Sequence, residues 1–186
     1  MLEYTYLLSQ FPTIDLFSPP KITIEYFEEQ CRIWLSDNEL QILFDASNLK
    51  KQKLKIVKLW NEKDDVIRSA VAVARLLRNN MEEEAEKYRQ GILCVYIADT
   101  VTELLKNKDP LSTEYGIAKL RYELLDEIAK TEPEYSFAAI YIYHEKLKIA
   151  MRFAKMTKEL GEKTIQEVLK YSAENLSNIN FKENIT

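Results

Sequence analysis

Residues 109–128 read Asp109-Pro110-Leu111-Ser112-Thr113-Glu114-Tyr115-Gly116-Ile117-Ala118-Lys119-Leu120-Arg121-Tyr122-Glu123-Leu124-Leu125-Asp126-Glu127-Ile128, and this stretch decides the fold class. Aspartate followed by proline is a helix-start pair. The carboxylate accepts the free amides of the first turn, and proline takes the first helical position, where a missing amide costs nothing. Beyond it Ile117, Leu120, Leu124 and Ile128 recur at steps of three and four, which is one face of an α-helix.

The same pattern extends in both directions. Downstream, Pro133 ends a connection and Ser136 caps a helix whose inward face is Ile140, Tyr143, Leu147, Ala150, Met151 and Ala154. Gly161 reads as its C-terminal cap. Ile165, Val168, Leu169, Ser172 and Leu176 form one more amphipathic helix, and the chain from Ser177 is polar. Upstream, Asp64 or Asp65 is read as the cap of a long helix with Ile67, Ala70, Ala74, Leu77 and Met81 inward. The acidic run Glu82-Glu83-Glu84 with Glu86 is its solvated end, Gly91 interrupts it, and Leu93, Ile97, Thr100, Val101 and Leu104 continue a similar face.

Earlier still, Ile24, Phe27, Cys31, Trp34 and Leu35 share a helix face. Ser36-Asp37-Asn38-Glu39 reads as a capping box opening a second helix with Leu40, Leu43 and Phe44 inward. Ser47-Asn48 breaks it, and Leu54, Val57 and Trp60 mark a short third segment. Residues 1–20 differ: Tyr4, Tyr6 and Leu8 alternate, and Pro12 and Pro19-Pro20 each remove an amide donor and restrict the residue before. They are read as an extended arm with room for a short strand. The expected organisation is an all-α, globular antiparallel helical bundle: an arm over 1–20, a helical domain over 21–176 and a polar tail over 177–186.

Composition agrees. The chain has 186 residues, 46% of them apolar, with only 3 Gly and 5 Pro, enough for one substantial core. Its 26 cationic against 30 anionic side chains give a net charge of −4. That balance offers no polycationic surface for a phosphate backbone, so nucleic acid is not an expected partner. Cys31 and Cys94 cannot build a disulfide framework; each lies among apolar helical residues and is read as a free thiol that behaves as a small hydrophobe. The N-terminus lacks the positive region of a secretory signal, and no apolar stretch approaches the ~20 residues of a spanning helix. A cytoplasmic location is the default.

No catalytic constellation emerges, and neither a metal nor a cofactor is expected. His144 is the only histidine, and with Tyr141 three residues before it the Glu-x-x-His pair of di-metal bundles is missing. It is read as a rim histidine bonded to a neighbour. Gly91, Gly116 and Gly161 are isolated, so no phosphate loop forms. The chain is expected not to be an enzyme by itself. Among partner-binding candidates, Tyr4 and Tyr6 stand out because aromatic side chains dominate interface hot spots. Arg75, Arg78 and Asn79 lie beside an apolar helix face. They read either as an internal salt bridge or helix-end contact, or as a polar groove for a partner's acidic side chain or main chain.

Several segments together carry a resemblance. They are Tyr4-Thr5-Tyr6-Leu7-Leu8-Ser9-Gln10-Phe11-Pro12, Pro19-Pro20, Leu77-Arg78-Asn79, Asp109-Pro110-Leu111 with Glu114, Leu125-Asp126-Glu127, and Tyr143-x-x-Lys146-Leu147-x-Ile149-x-x-Arg152. They resemble an uncharacterised bacterial family encoded within V-type (vacuolar/archaeal-type) ATP synthase operons. That family looks like a counterpart of the all-helical, funnel-shaped protein that sits between rotor ring and central shaft in these ATPases. The resemblance implies a non-catalytic coupling subunit or assembly factor, bound to central-stalk and rotor-ring subunits and active in ion transport at the cytosolic face of the membrane. The chain departs from the funnel protein in being short for a three-lobed fold and in lacking a threefold repeat. A helical protein-binding adaptor or regulator unrelated to ion transport is the alternative that the residues alone allow.

Overall fold

The computed structural model describes residues 2–16, 18–44, 54–89, 94–107, 109–156 and 164–171. Of these, 78% are helical, and no strand occurs among them. The chain is all-α. Its helices are α1 (Leu2–Ser9), α2 (Ile24–Trp34), α3 (Asp37–Phe44), α4 (Lys55–Arg78), α5 (Glu82–Arg89), α6 (Val95–Leu105), α7 (Pro110–Ala129) and α8 (Phe137–Ala154). A further helical stretch covers 164–171. The breaks read at Ser47-Asn48 and Gly91, the cap at Gly161 and the tail over 177–186 lie outside the described residues.

The start signals act as their chemistry requires. Asp109 accepts the amides of Leu111 at 3.2 Å and Ser112 at 3.0 Å ahead of Pro110. Ser136 accepts the Ala139 amide at 3.3 Å. Glu39 reaches back to accept both the Ser36 amide at 2.9 Å and its hydroxyl at 2.6 Å, the returning half of a capping box. On α7 the buried set includes all four residues of the three-four pattern, Ile117, Leu120, Leu124 and Ile128. At Gly116 a Cβ would meet the tip of the Leu104 side chain on α6.

Helix α4 organises the body, packing against α5, α6 and α7, while α7 packs on α8, and α1, α2 and α3 cover α8. One continuous core runs through these helices and includes Phe27, Cys31, Ile67, Ile97, Leu125, Ile140 and Leu147.

Three expectations are corrected. First, no helix starts at Asp64 or Asp65: α4 runs through both from Lys55, absorbing the separate segment read at Leu54, Val57 and Trp60. Asp64 lies on the buried face with Ile56, Val57, Trp60 and Ile67. A carboxylate survives there because cations neutralise it. Second, α4 stops at Arg78, short of the glutamate run. Asn80 adopts φ 58°, its amide bonds the Leu77 carbonyl at 3.1 Å, and the Met81 amide bonds the Leu76 carbonyl at 3.0 Å. This is a Schellman closure with asparagine in the left-handed position usually given to glycine. Glu82–Arg89 is therefore a separate helix, with acids in its first turn and Lys87 and Arg89 in its last, each complementing the helix dipole.

Third, the arm is not extended at its start. Leu2–Ser9 is helix α1, and Tyr4, Leu7, Leu8 and Phe11 fall at i, i+3, i+4 and i+7, with Leu7 fully buried. The chain leaves helical geometry at Phe11-Pro12. It is then tied down by side chains from later helices: Tyr143 donates its hydroxyl to the Pro12 carbonyl at 2.8 Å, and Tyr122 donates to the Ile14 carbonyl. Phe11 stacks on Tyr143 and packs at a tilt against Phe27, with ring centroids 5.0 and 4.9 Å apart.

Candidate functional site

Of the residues read as partner-binding, Tyr4 turns inward and Tyr6 outward. Tyr4 donates to the Glu39 carboxylate, and that bond pushes its phenol up to about 12. Burial pushes the Glu39 carboxyl up, yet the bonds from Ser36 and Tyr4 outweigh it and hold the carboxyl below its ordinary range. Tyr6 is 54% exposed and leans on Trp34, ring centroids 4.7 Å apart. Together with Glu3, Thr5 and Ser9 these two rings line an apolar hollow. Ile33, which precedes Trp34 in the sequence, is 64% exposed.

The second group sits elsewhere, where the end of α4 meets α6 and α7. Arg78 donates to the Leu105 carbonyl at the C-terminus of α6, where a cation meets the negative end of the helix dipole. Asn79 closes α4 through its own amide, bonded to the Leu76 carbonyl at 3.0 Å. Arg75 reaches Glu114 on α7 at 3.5 Å. These contacts are internal, and the structure does not bring this group together with the α1 tyrosines.

Arg75 also opens onto a larger assembly that the sequence did not reveal. A groove between α4, α7 and α8 is lined by Arg68, Arg75, Glu114, Arg121 and Arg152, and continues along Asp64, Tyr141, Glu145 and Lys148. Asp64 receives Arg121 Nε at 2.7 Å and Arg68 Nε at 2.7 Å. Glu114 receives Arg152 at 3.0 Å and Arg75 at 3.5 Å. Glu145 accepts Trp60 Nε1 at 3.3 Å and Lys148 at 2.7 Å. The available signal was a carboxylate on an apolar helix face, Asp64, with an arginine four residues on.

His144 and Cys31 are placed in the core, while Cys94 is half-buried. His144 is not a rim residue: it is 5% exposed, stacks on Phe27 at 5.3 Å, meets the edge of Phe44 at 5.5 Å, and its Nδ1 has no hydrogen-bond partner among the described residues. Burial, with nearby Lys148, pushes its pKa down to about 3, so the ring is neutral. Cys31 is fully buried and its thiol is pushed up to about 12 by burial, which suppresses the thiolate. No group of three metal-ligating side chains occurs among the described residues. No helix among them is long and apolar enough to cross a membrane.

Comparison with known proteins returns no matching family model, no matching curated protein and no matching solved structure.

Proposed function

We propose that this chain is a non-catalytic structural or coupling subunit, or an assembly factor, of a V-type ATPase, docking on central-stalk and rotor-ring subunits for ion transport. The reading rests on the resemblance of its short motifs to the operon-encoded family, and one structural observation supports it. Exposed Tyr6 leans on half-buried Trp34, and the two rings form an apolar patch on the α1–α2 side. Aromatic pairs of this kind supply much of the binding energy at protein interfaces. A non-catalytic role is supported by the two reactive groups held in the core, His144 neutral and Cys31 protonated.

The α1–α2 edge is the docking face in this reading. Arg78 and Asn79 make bonds within the chain that support the fold, and they lie away from this edge. Tyr6→Ala tests the edge. The variant should fold with unchanged circular dichroism, because Tyr6 is itself 54% exposed, yet lose about 2 kcal/mol or more of partner affinity. Unchanged affinity would remove the edge from the interface. If the edge binds a partner that is no part of a rotary ATPase, the protein is a helical adaptor, the reading the residues alone equally allow.

A further inference from the structure

The groove between α4, α7 and α8 carries more positive charge than its own carboxylates neutralise. Arg68, Arg75, Arg121, Lys148 and Arg152 line it against Asp64, Glu114 and Glu145. Two positive charges are left over, in a chain whose net charge is −4. Asp65 meets Arg68 at 3.8 Å but does not line the groove. A guanidinium has five N–H donors, and Arg75, Arg121 and Arg152 each spend only one on the pairs described.

An independent feature lies in the same groove. Tyr141 is 1% exposed and lines the cavity beside Arg68, Arg121 and Arg152; its hydroxyl lies near the Glu145 carboxylate but makes no well-formed hydrogen bond to it or to any other described residue. Both oxygens of neighbouring Glu145 are engaged, one by Trp60 and one by Lys148. A buried hydroxyl without a partner is costly, so a ligand able to accept from it would recover that cost.

We propose that this groove binds a phosphate dianion, free or as the head of a phosphate monoester, held by Arg68, Arg121 and Arg152 with the Tyr141 hydroxyl donating from the floor. The excess of two positive charges matches the dianion. Donors from four side chains on three helices suit an acceptor with three or four oxygens better than a carboxylate with two. The chain has already met the carboxylate case itself, by setting Asp64 and Glu114 each between two arginines. The site is separate from the Tyr6 edge and does not depend on the docking reading.

Calorimetric titration of the full chain at constant ionic strength tests it, using inorganic phosphate, glycerol phosphate and chloride as probes. Phosphate should bind saturably in the millimolar range or tighter, and chloride should not. Arg152→Gln, at an exposed side chain, should weaken phosphate at least about tenfold with circular dichroism unchanged. Tyr141→Phe keeps the ring and should weaken phosphate several-fold without lowering the melting temperature. Sedimentation with phosphatidic acid vesicles, against phosphatidylcholine, separates the sources: pelleting assigns a membrane headgroup, and its absence beside phosphate binding assigns a soluble ligand. Phosphate binding no better than chloride overturns the proposal, as does binding that both variants leave unaltered. Binding of a polyglutamate peptide without phosphate binding also overturns it, in favour of an acidic protein segment.

Discussion

Arg121 on α7 donates its Nε to Asp64 on α4 at 2.7 Å, joining two helices through a carboxylate that is almost wholly buried. The opposite oxygen of Asp64 takes Arg68 from the same helix, also at 2.7 Å. The two arginines are not equivalent: the Arg121 side chain is 19% exposed and that of Arg68 62%. Exposed pairs contribute little, whereas removing one partner of a buried pair strands the other charge.

Arg121→Ala should therefore destabilise the protein by about 3 kcal/mol, and Arg68→Ala by about 1 kcal/mol or less. Urea denaturation of the two variants measures both. Equal losses would mean that Asp64 does not rely on the interhelical pair.

His144 makes stability depend on pH. Its pKa is about 3 in the folded chain against an ordinary 6.5, so below 6.5 the unfolded chain binds a proton that the folded one refuses. Stability should be full above about pH 6.5 and fall as the pH drops toward 3, by about 1.4 kcal/mol per pH unit. His144→Leu keeps the apolar contacts with Phe27 and Phe44 and should lose this slope. Urea midpoints between pH 7 and pH 4 decide it, and a variant with the same slope as the parent would refute the assignment.

Asn80 holds the Schellman closure of α4 with φ 58°. Asn80→Gly should be neutral or slightly stabilising, and Asn80→Val should cost about 1–2 kcal/mol, because a β-branched side chain resists the left-handed region. Thermal melts of the pair check the order. A valine variant as stable as the parent would show that α4 ends differently.

These residues also show what was legible in the sequence. Local chemistry was: the caps at Asp109 and Ser136 and the buried face of α7 follow from short-range hydrogen bonding and the 3.6-residue period. What failed needed partners distant in sequence. Asp64 looked like a helix cap because nothing within a few residues shows that Arg121, 57 positions away, neutralises it. Asn80 passed unnoticed because asparagine marks the left-handed position less strongly than glycine does. In α1 the alternating tyrosines drew attention from the helical spacing of Tyr4, Leu7, Leu8 and Phe11. Of the candidate site, Tyr6 is exposed as an interface residue needs to be, but Tyr4, Arg78 and Asn79 make internal bonds. The arginine groove was invisible because it is assembled from three helices.

The measurement that tests the proposed function most directly is co-purification from native membranes. A tagged chain is captured after mild solubilisation, with and without chemical cross-linking, and the companions are identified by mass spectrometry. The account predicts central-stalk and rotor-ring subunits of a V-type ATPase in the parent sample and their loss in Tyr6→Ala. A chain that never travels with those subunits, even after cross-linking, would contradict it.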